Sequence, residues 1–187
     1  MKRIGLMGCG TVAHYGHIPT ILRTPGLELT ALFDPDPERL AAAQEKFAIK
    51  DGFTEVDAFM ASGLDAVTIT SPAPCHVLNV RDAVRHGKHM LCEKPLGMNE
   101  AECTEMARLA EETGLMLFTG FDYRFSPASL KIRELVRAGA IGRVGSLRLI
   151  YIWNNHGKYQ VAGAGERILN ERRVGRMLEG GPMVDCG

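Results

Sequence analysis

Short apolar segments alternate with amphipathic ones along the first 118 residues of this chain, and few folds accept that rhythm. Lys2 to Met7, Leu27 to Phe33, Asp65 to Thr70, Lys88 to Cys92 and Leu115 to Thr119 read as strands. Between them lie helical patterns from Thr11 to Leu22, Asp36 to Phe47, Cys75 to His86 and Asn99 to Glu112. Local chemistry supports the boundaries. Pro37 stands in a first turn, where its missing N–H costs little. Gly87 and Gly114 stand where helices commonly stop. Asn99 followed by Glu102 resembles a capping box. Strands separated by helices of this length imply βαβ units, and so a parallel sheet with helices on both faces.

The rhythm changes after Gly120. Ser126 to Ala138 reads as a helix ended by Gly139, and Gly142 and Gly145 frame a turn. Ser146 to Trp153 alternates like a half-buried strand. Asn154 to Gly165 and Glu179-Gly180-Gly181-Pro182 read as loops. One helix and one strand cannot bury a core of their own, so this stretch reads as the start of another domain. The expected class is α/β: a Rossmann-type doubly wound parallel sheet over residues 1–120. The beginning of an α+β second domain, for substrate and oligomer contacts, would follow over residues 121–187.

Composition narrows the function classes. Lys plus Arg and Asp plus Glu are both 22, so no excess charge favours nucleic acid or an anionic membrane surface. No apolar run approaches the roughly 18 residues of a membrane helix. The N-terminus lacks a secretory core, which points to a cytoplasmic protein. Cys9, Cys75, Cys92, Cys103 and Cys186 are odd in number and form no CxxC pair, as expected of free thiols. His14 with His17, and His86 with His89, have helical spacing for metal ligands. Neither pair has a third ligand nearby, so no metal site is expected.

The chemistry begins at Gly8-Cys9-Gly10-Thr11-Val12-Ala13, a GxGxxA run between a strand and a helix. Gly8 allows the tight turn, Gly10 lets a pyrophosphate approach the backbone, and Ala13 keeps helix and sheet close. The helix N-terminus offers N–H groups and partial positive charge to phosphates. The bland alternative is a tight turn with no ligand. Asp34 ends the second strand, close to the usual offset of about 20 residues past the glycines. A carboxylate there accepts hydrogen bonds from both adenosine ribose hydroxyls and repels a 2′-phosphate, favouring NAD over NADP. A turn aspartate in Asp34-Pro35-Asp36-Pro37 is the alternative. Arg39 either pairs with a 2′-phosphate or is simply solvated.

Cys92-Glu93-Lys94-Pro95 follows another strand, at the carboxyl end where open α/β sheets bind ligands. Pro95 keeps Lys94 out of helical geometry. A lysine at the mouth of a cofactor cleft can bond a substrate hydroxyl and favour its alkoxide as hydride leaves. Alone, it reads equally as a surface lysine beside a glutamate.

Together these pieces resemble the Gfo/Idh/MocA family (glucose–fructose oxidoreductase, inositol dehydrogenase and relatives). The matching residues are Gly8 to Ala13, Asp34, Ser71-Pro72 with His76, Gly87-Lys88-His89 and Glu93-Lys94-Pro95. Further along come Gly120-Phe121 with Arg124-Phe125 and Pro127, then Gly139-Ala140-Ile141-Gly142. Gly180-Gly181 followed by Asp185-Cys186-Gly187 resembles the family's glycine-rich substrate loop.

The resemblance implies an NAD-dependent oxidoreductase acting on a secondary alcohol of a sugar, polyol or related compound. It makes Lys94 the catalytic lysine, with a peptide bond to Pro95 that is often cis in the family. Glu93 would position Lys94 and the nicotinamide ribose. Cofactor binding would fall to Gly8, Cys9, Gly10, Thr11, Val12, Asp34, Arg39, Ser71, Pro72, His76, Glu93, Lys94 and Arg124, with Asp122 near Arg124. Asp185 would contact substrate and orient a catalytic histidine, and Trp153 and Lys94 would share the substrate side. The family's histidine falls four positions after Asp185, at 189, beyond Gly187, so most of the second domain is expected to be missing. His156 could partly replace it, or be a loop residue. Homo-oligomerisation is expected if the second domain is complete. The same resemblance admits a non-catalytic NAD-binding module, or an epimerase or glycoside hydrolase that uses NAD transiently.

Overall fold

A computed structural model describes residues 1–148, 159–161 and 167–169. The chain divides into two units, Met1–Gly120 and Phe121–Gly187. The first unit holds six strands: β1 Lys2–Met7, β2 Leu27–Phe33, β3 Asp51–Phe53, β4 Ala66–Ile69, β5 His89–Cys92 and β6 Leu117–Thr119. All pair in parallel, in the order β3-β2-β1-β4-β5-β6. The reversal of strand order lies beside β1, the position at which open α/β sheets place their ligands. Helices α1 Ile18–Arg23, α2 Pro37–Phe47, α3 Val56–Met60, α4 His76–Arg85 and α5 Glu100–Thr113 connect the strands.

Alternate residues of β1 feed two cores. Leu6 packs with Ile18, Ile21, Leu32, Leu40 and Ala43, the α1 and α2 side. Met7 packs with Phe59, Val80, Ala83, Met106 and Ala110, the α3, α4 and α5 side. Burial on both faces explains the near-continuous apolar runs of these strands. Caps end the helices as the sequence implies. Asp36 accepts from the Glu38 and Arg39 N–H groups. Asn99 accepts from Glu102 N–H at 3.0 Å, while the Glu102 carboxylate reaches back to Met98 N–H at 2.8 Å. Gly114 ends α5 at φ 67°.

Three features depart from expectation. The first helix is not α-helical throughout: Ala13–His17 winds as a π-turn, with the Ile18 N–H bonded to the Ala13 carbonyl. Pro19 accounts for this, because it has no N–H for the Tyr15 carbonyl and its ring would crowd that oxygen in an α register. Second, β3 and α3 carry no strong signal in sequence. A five-residue helix has little stability of its own. Here α3 is held by Phe59 and Met60, both buried. An added Cβ on Gly5 would lie 2.5 Å from Phe59 and Leu64 side-chain atoms, so β1 makes room for them.

Third, the second unit differs in detail. Its helix α6, Pro127–Arg137, is capped by Ser126, and Gly139 follows at φ 69°. Residues 146–148 carry no strand, and the rest of the expected strand to Trp153 lies outside the described residues. The expected loop from Asn154 to Gly165 contains strand β7, Tyr159–Val161, paired antiparallel with β8, Arg167–Leu169. Two neighbouring strands supply each other's backbone partners, which outweighs the polar, glycine-rich composition around them. Among the described residues no helix is long and apolar enough to cross a membrane.

Candidate functional site

The glycine turn is braced from three sides. Gly8 donates its N–H to the Phe33 carbonyl at 2.7 Å, and its φ of 98° favours glycine. A Cβ there would meet Ser71 N at 2.7 Å, so the turn and the end of β4 touch backbone to backbone. The Thr70 hydroxyl, buried, lies 2.6 Å from the Gly8 carbonyl and 3.1 Å from that of Met7. Gly10 is different: a Cβ built on it would meet nothing within 4 Å. That is open space beside a helix start, where N–H groups ahead of His14 have no intrahelical acceptor. The residues therefore fit the phosphates of a dinucleotide on chemical grounds. Thr11 is exposed and Val12 half-buried on the same turn.

Asp34 is buried, at 6 % exposure. One carboxylate oxygen accepts from Cys9 N–H at 2.8 Å and the other from Asp36 N–H at 2.9 Å. The side chain thus shapes the glycine turn, in addition to any contact with a ribose. Burial, reinforced by the Asp34 charge, pushes the Cys9 thiol up to about 12, which leaves it an inert neutral group. Arg39 pairs with Asp36, Nε to Oδ2 at 3.0 Å, and its side chain is 58 % exposed. It is neither bare in solvent nor held at Asp34.

The Glu93-Lys94-Pro95 loop leaves the carboxyl end of β5, on the same side of the parallel sheet as the turn after β1. Its Lys94–Pro95 bond is cis. Glu93 uses both carboxylate oxygens: one lies 2.7 Å from His17 Nε2, the other accepts the Lys94 N–H at 3.0 Å. Burial raises its pKa, but the His17 hydrogen bond, the Lys94 N–H and the two nearby positive charges outweigh it. The net result lies below the ordinary value. Gly120 leaves space for this carboxylate, since a Cβ there would stand 3.1 Å from Glu93 Oε1. Cys92, the residue before, is buried and pushed up to about 12, mainly by desolvation.

Ser71 and His76 organise the neighbouring loop. The Ser71 hydroxyl lies 2.6 Å from Asn79 Oδ1. His76 was expected to line the cofactor path, yet it is 1 % exposed and offers a ligand almost no surface. Its Nε2 faces the Ser71 carbonyl at 3.0 Å, and its Nδ1 faces those of Pro95 and Leu96 at 2.9 and 3.2 Å. The ring is a strut between the loops after β4 and β5. Pro72 is exposed beside it. Arg124 lies in a 3-10 turn, Asp122–Phe125, of the second unit, with Asp122 at its start. Trp153, His156, Gly180, Gly181, Asp185 and Cys186 lie outside the described residues.

Sequence reading missed Thr70, Asn79 and the role of His17. His14 packs edge-on against Phe47 at 5.3 Å, apart from His17's engagement with Glu93. His86 Nδ1 lies 2.9 Å from the Asp82 carbonyl, and His89 Nδ1 accepts from Met116 N–H. Among the described residues no three metal-ligating side chains gather.

A parallel sheet of this order, with a glycine turn after β1 and a buried acid after β2, defines a Rossmann-type dinucleotide-binding domain. The model of the Gfo/Idh/MocA oxidoreductase family, described by its NAD-binding Rossmann fold, matches residues 2–121. The chain belongs to this family. It is 32% identical over 188 residues to dTDP-3,4-didehydro-2,6-dideoxy-alpha-D-glucose 3-reductase of Streptomyces violaceoruber, covering 99% of this chain and 51% of that one. It is 33% identical over 152 residues to 1,5-anhydro-D-fructose reductase of Ensifer adhaerens, covering 81% and 45% respectively. Among solved structures, scyllo-inositol dehydrogenase from Lactobacillus casei, with bound NAD(H) and scyllo-inositol, aligns with a TM-score of 0.70. That match is 26% identical and covers 76% of this chain and 42% of the other. The chain spans about half the length of the curated relatives it matches.

Proposed function

We propose that the protein is an NAD-dependent oxidoreductase acting on a secondary alcohol, or the corresponding carbonyl, of a sugar or polyol. The observation that carries this reading is the pinned Glu93–Lys94 loop, on the same sheet edge as the glycine turn. NAD supplies the site that accepts or donates hydride. Gly8, Cys9, Gly10, Thr11 and Val12 seat the pyrophosphate, and Ser71 and Pro72 border its path. Lys94 holds the substrate hydroxyl and exchanges its proton, the ordinary role of a positioned acid–base group. Glu93 fixes the backbone of Lys94 through the bond to its N–H. By family resemblance Arg124 is assigned to the cofactor and Asp185 and Trp153 to the substrate, and residues 121–187 are the beginning of the substrate domain.

NAD is preferred over NADP in this reading. The Asp34 charge sits where a 2′-phosphate would arrive, and the nearby cation, Arg39, is already paired with Asp36. Support for sugar and polyol substrates comes from the names of the relatives. The test combines nucleotide titration with a turnover panel of inositols and aldoses. NADH should bind at least tenfold more tightly than NADPH. Lys94→Ala should cut turnover by about a hundredfold or more while leaving ADP-ribose affinity unchanged. An unchanged rate in that variant overturns the catalytic assignment, and NADH binding with no turnover on any alcohol of the panel favours the non-catalytic NAD-binding module.

A further inference from the structure

His17 stands apart from the residues that the nucleotide reading uses. It closes the π-turn of the helix that opens at Gly10, and its Nε2 lies 2.7 Å from Glu93 Oε1 across 76 residues of sequence. The two side chains are 16 % and 15 % exposed. An ionised carboxylate only accepts, so the shared proton sits on His17 Nε2. Glu93 passes the constraint on: its second oxygen holds the Lys94 N–H at 3.0 Å, and its own N–H bonds the Ile69 carbonyl at 2.9 Å. Gly120, with no side chain, gives the carboxylate its room here, since an added Cβ would stand 3.1 Å from Oε1. With His17 removed, Oε1 would lose the partner that fixes its azimuth, and the Lys94 backbone would lose its fixed acceptor.

The glycine turn does not depend on this chain of contacts. It has its own braces in Thr70, Asp34 and the Phe33 carbonyl. We propose that His17 is a positioning residue for Lys94: acting through Glu93, it fixes the lysine loop against the helix that faces the phosphates. The consequence is local to the nicotinamide half of the cofactor and leaves the adenosine–phosphate half unaffected. The inference rests on the nucleotide reading given above, and its test separates the two.

Wild type, His17→Asn and His17→Gln are each titrated with NADH and with ADP-ribose, which has the adenosine and pyrophosphate but no nicotinamide. A glutamine amide nitrogen falls about where Nε2 lies, whereas an asparagine nitrogen stops near the Nδ1 position. H17N should lose about tenfold in NADH affinity, the size of one hydrogen bond to a charged group. It should lose less than twofold for ADP-ribose. H17Q should stay within threefold of wild type on both. Equal losses of NADH and ADP-ribose in H17N would make His17 a general support of the helix and overturn the inference. Unchanged NADH affinity in H17N, or H17Q as weak as H17N, overturns it as well. A wild-type chain that binds neither nucleotide removes the nucleotide reading itself, and the inference with it.

Discussion

Glu93 shows how much one side chain can be asked to do. It is a largely buried carboxylate, and burial alone would favour its neutral form. His17 and the Lys94 N–H reverse that and hold its pKa below the ordinary 4.5. A group with a depressed native pKa stabilises the fold fully above its unfolded value and loses that contribution as pH falls through the native value. Wild type should therefore lose more stability than Glu93→Gln between about pH 6 and pH 3, read as urea midpoints at both values. Asp65 and Glu105 are also depressed, by backbone and Arg81 hydrogen bonds respectively, but they are common to both proteins and cancel in the comparison. Equal losses would mean that the carboxylate is not held ionised by these partners. Sequence reading found Glu93, Lys94, Gly8 and Asp34 because each belongs to a short pattern with a mechanical reason. His17 and Thr70 belong to none. Their partners lie 76 and 62 residues away, and only the folded sheet brings them together.

The elements that were legible in sequence are those with strong local chemistry. Helix α5 is the clearest case. Asn99 bonds the Glu102 N–H and the Glu102 carboxylate returns to the Met98 N–H, so two orphan donors are satisfied at one end. Asn99→Ala should cost about 1 kcal/mol of stability in urea titration. It should leave nucleotide affinity unchanged, since α5 starts beyond the Glu93–Lys94 loop. A larger loss would mean that the cap also sets the course of that loop. Strand β3 was illegible for the opposite reason. Asp51-Gly52-Phe53 contains two poor strand formers and stands at the sheet edge, paired on one side only to β2. Its place is set by β2 and by Gln44, whose side-chain amide donates to the Ile49 and Lys50 carbonyls. The π-turn was hidden for another reason: Pro19 lies inside the expected Thr11–Leu22 helix and must disturb it, but the sequence does not say whether by a kink, a break or a wider turn.

At the scale of the molecule, the first unit contains everything that its sheet needs. Both cores, with strands β1, β4 and β5 and their covering helices, lie within Met1–Gly120. So do the residues that brace the glycine turn. Its exposed edges are short: three residues in β3 and three in β6. Short edges limit the backbone left unpaired, and a chain of this length is within the usual size of an independent domain. Residues 1–120 alone should therefore unfold in one cooperative urea transition. They should also bind ADP-ribose within threefold of the 187-residue chain, because each proposed contact to adenosine and pyrophosphate lies among them. Phe118, 57 % exposed on β6, is the place where such a fragment would self-associate, so the measurement is made across a tenfold range of protein concentration. A broad transition with early loss of near-ultraviolet signal would mean that the sheet draws part of its packing from residues after Gly120. Cooperative folding without ADP-ribose binding would instead mean that residues after Gly120 complete the adenosine–phosphate cradle, and Arg124 would be the first side chain to examine.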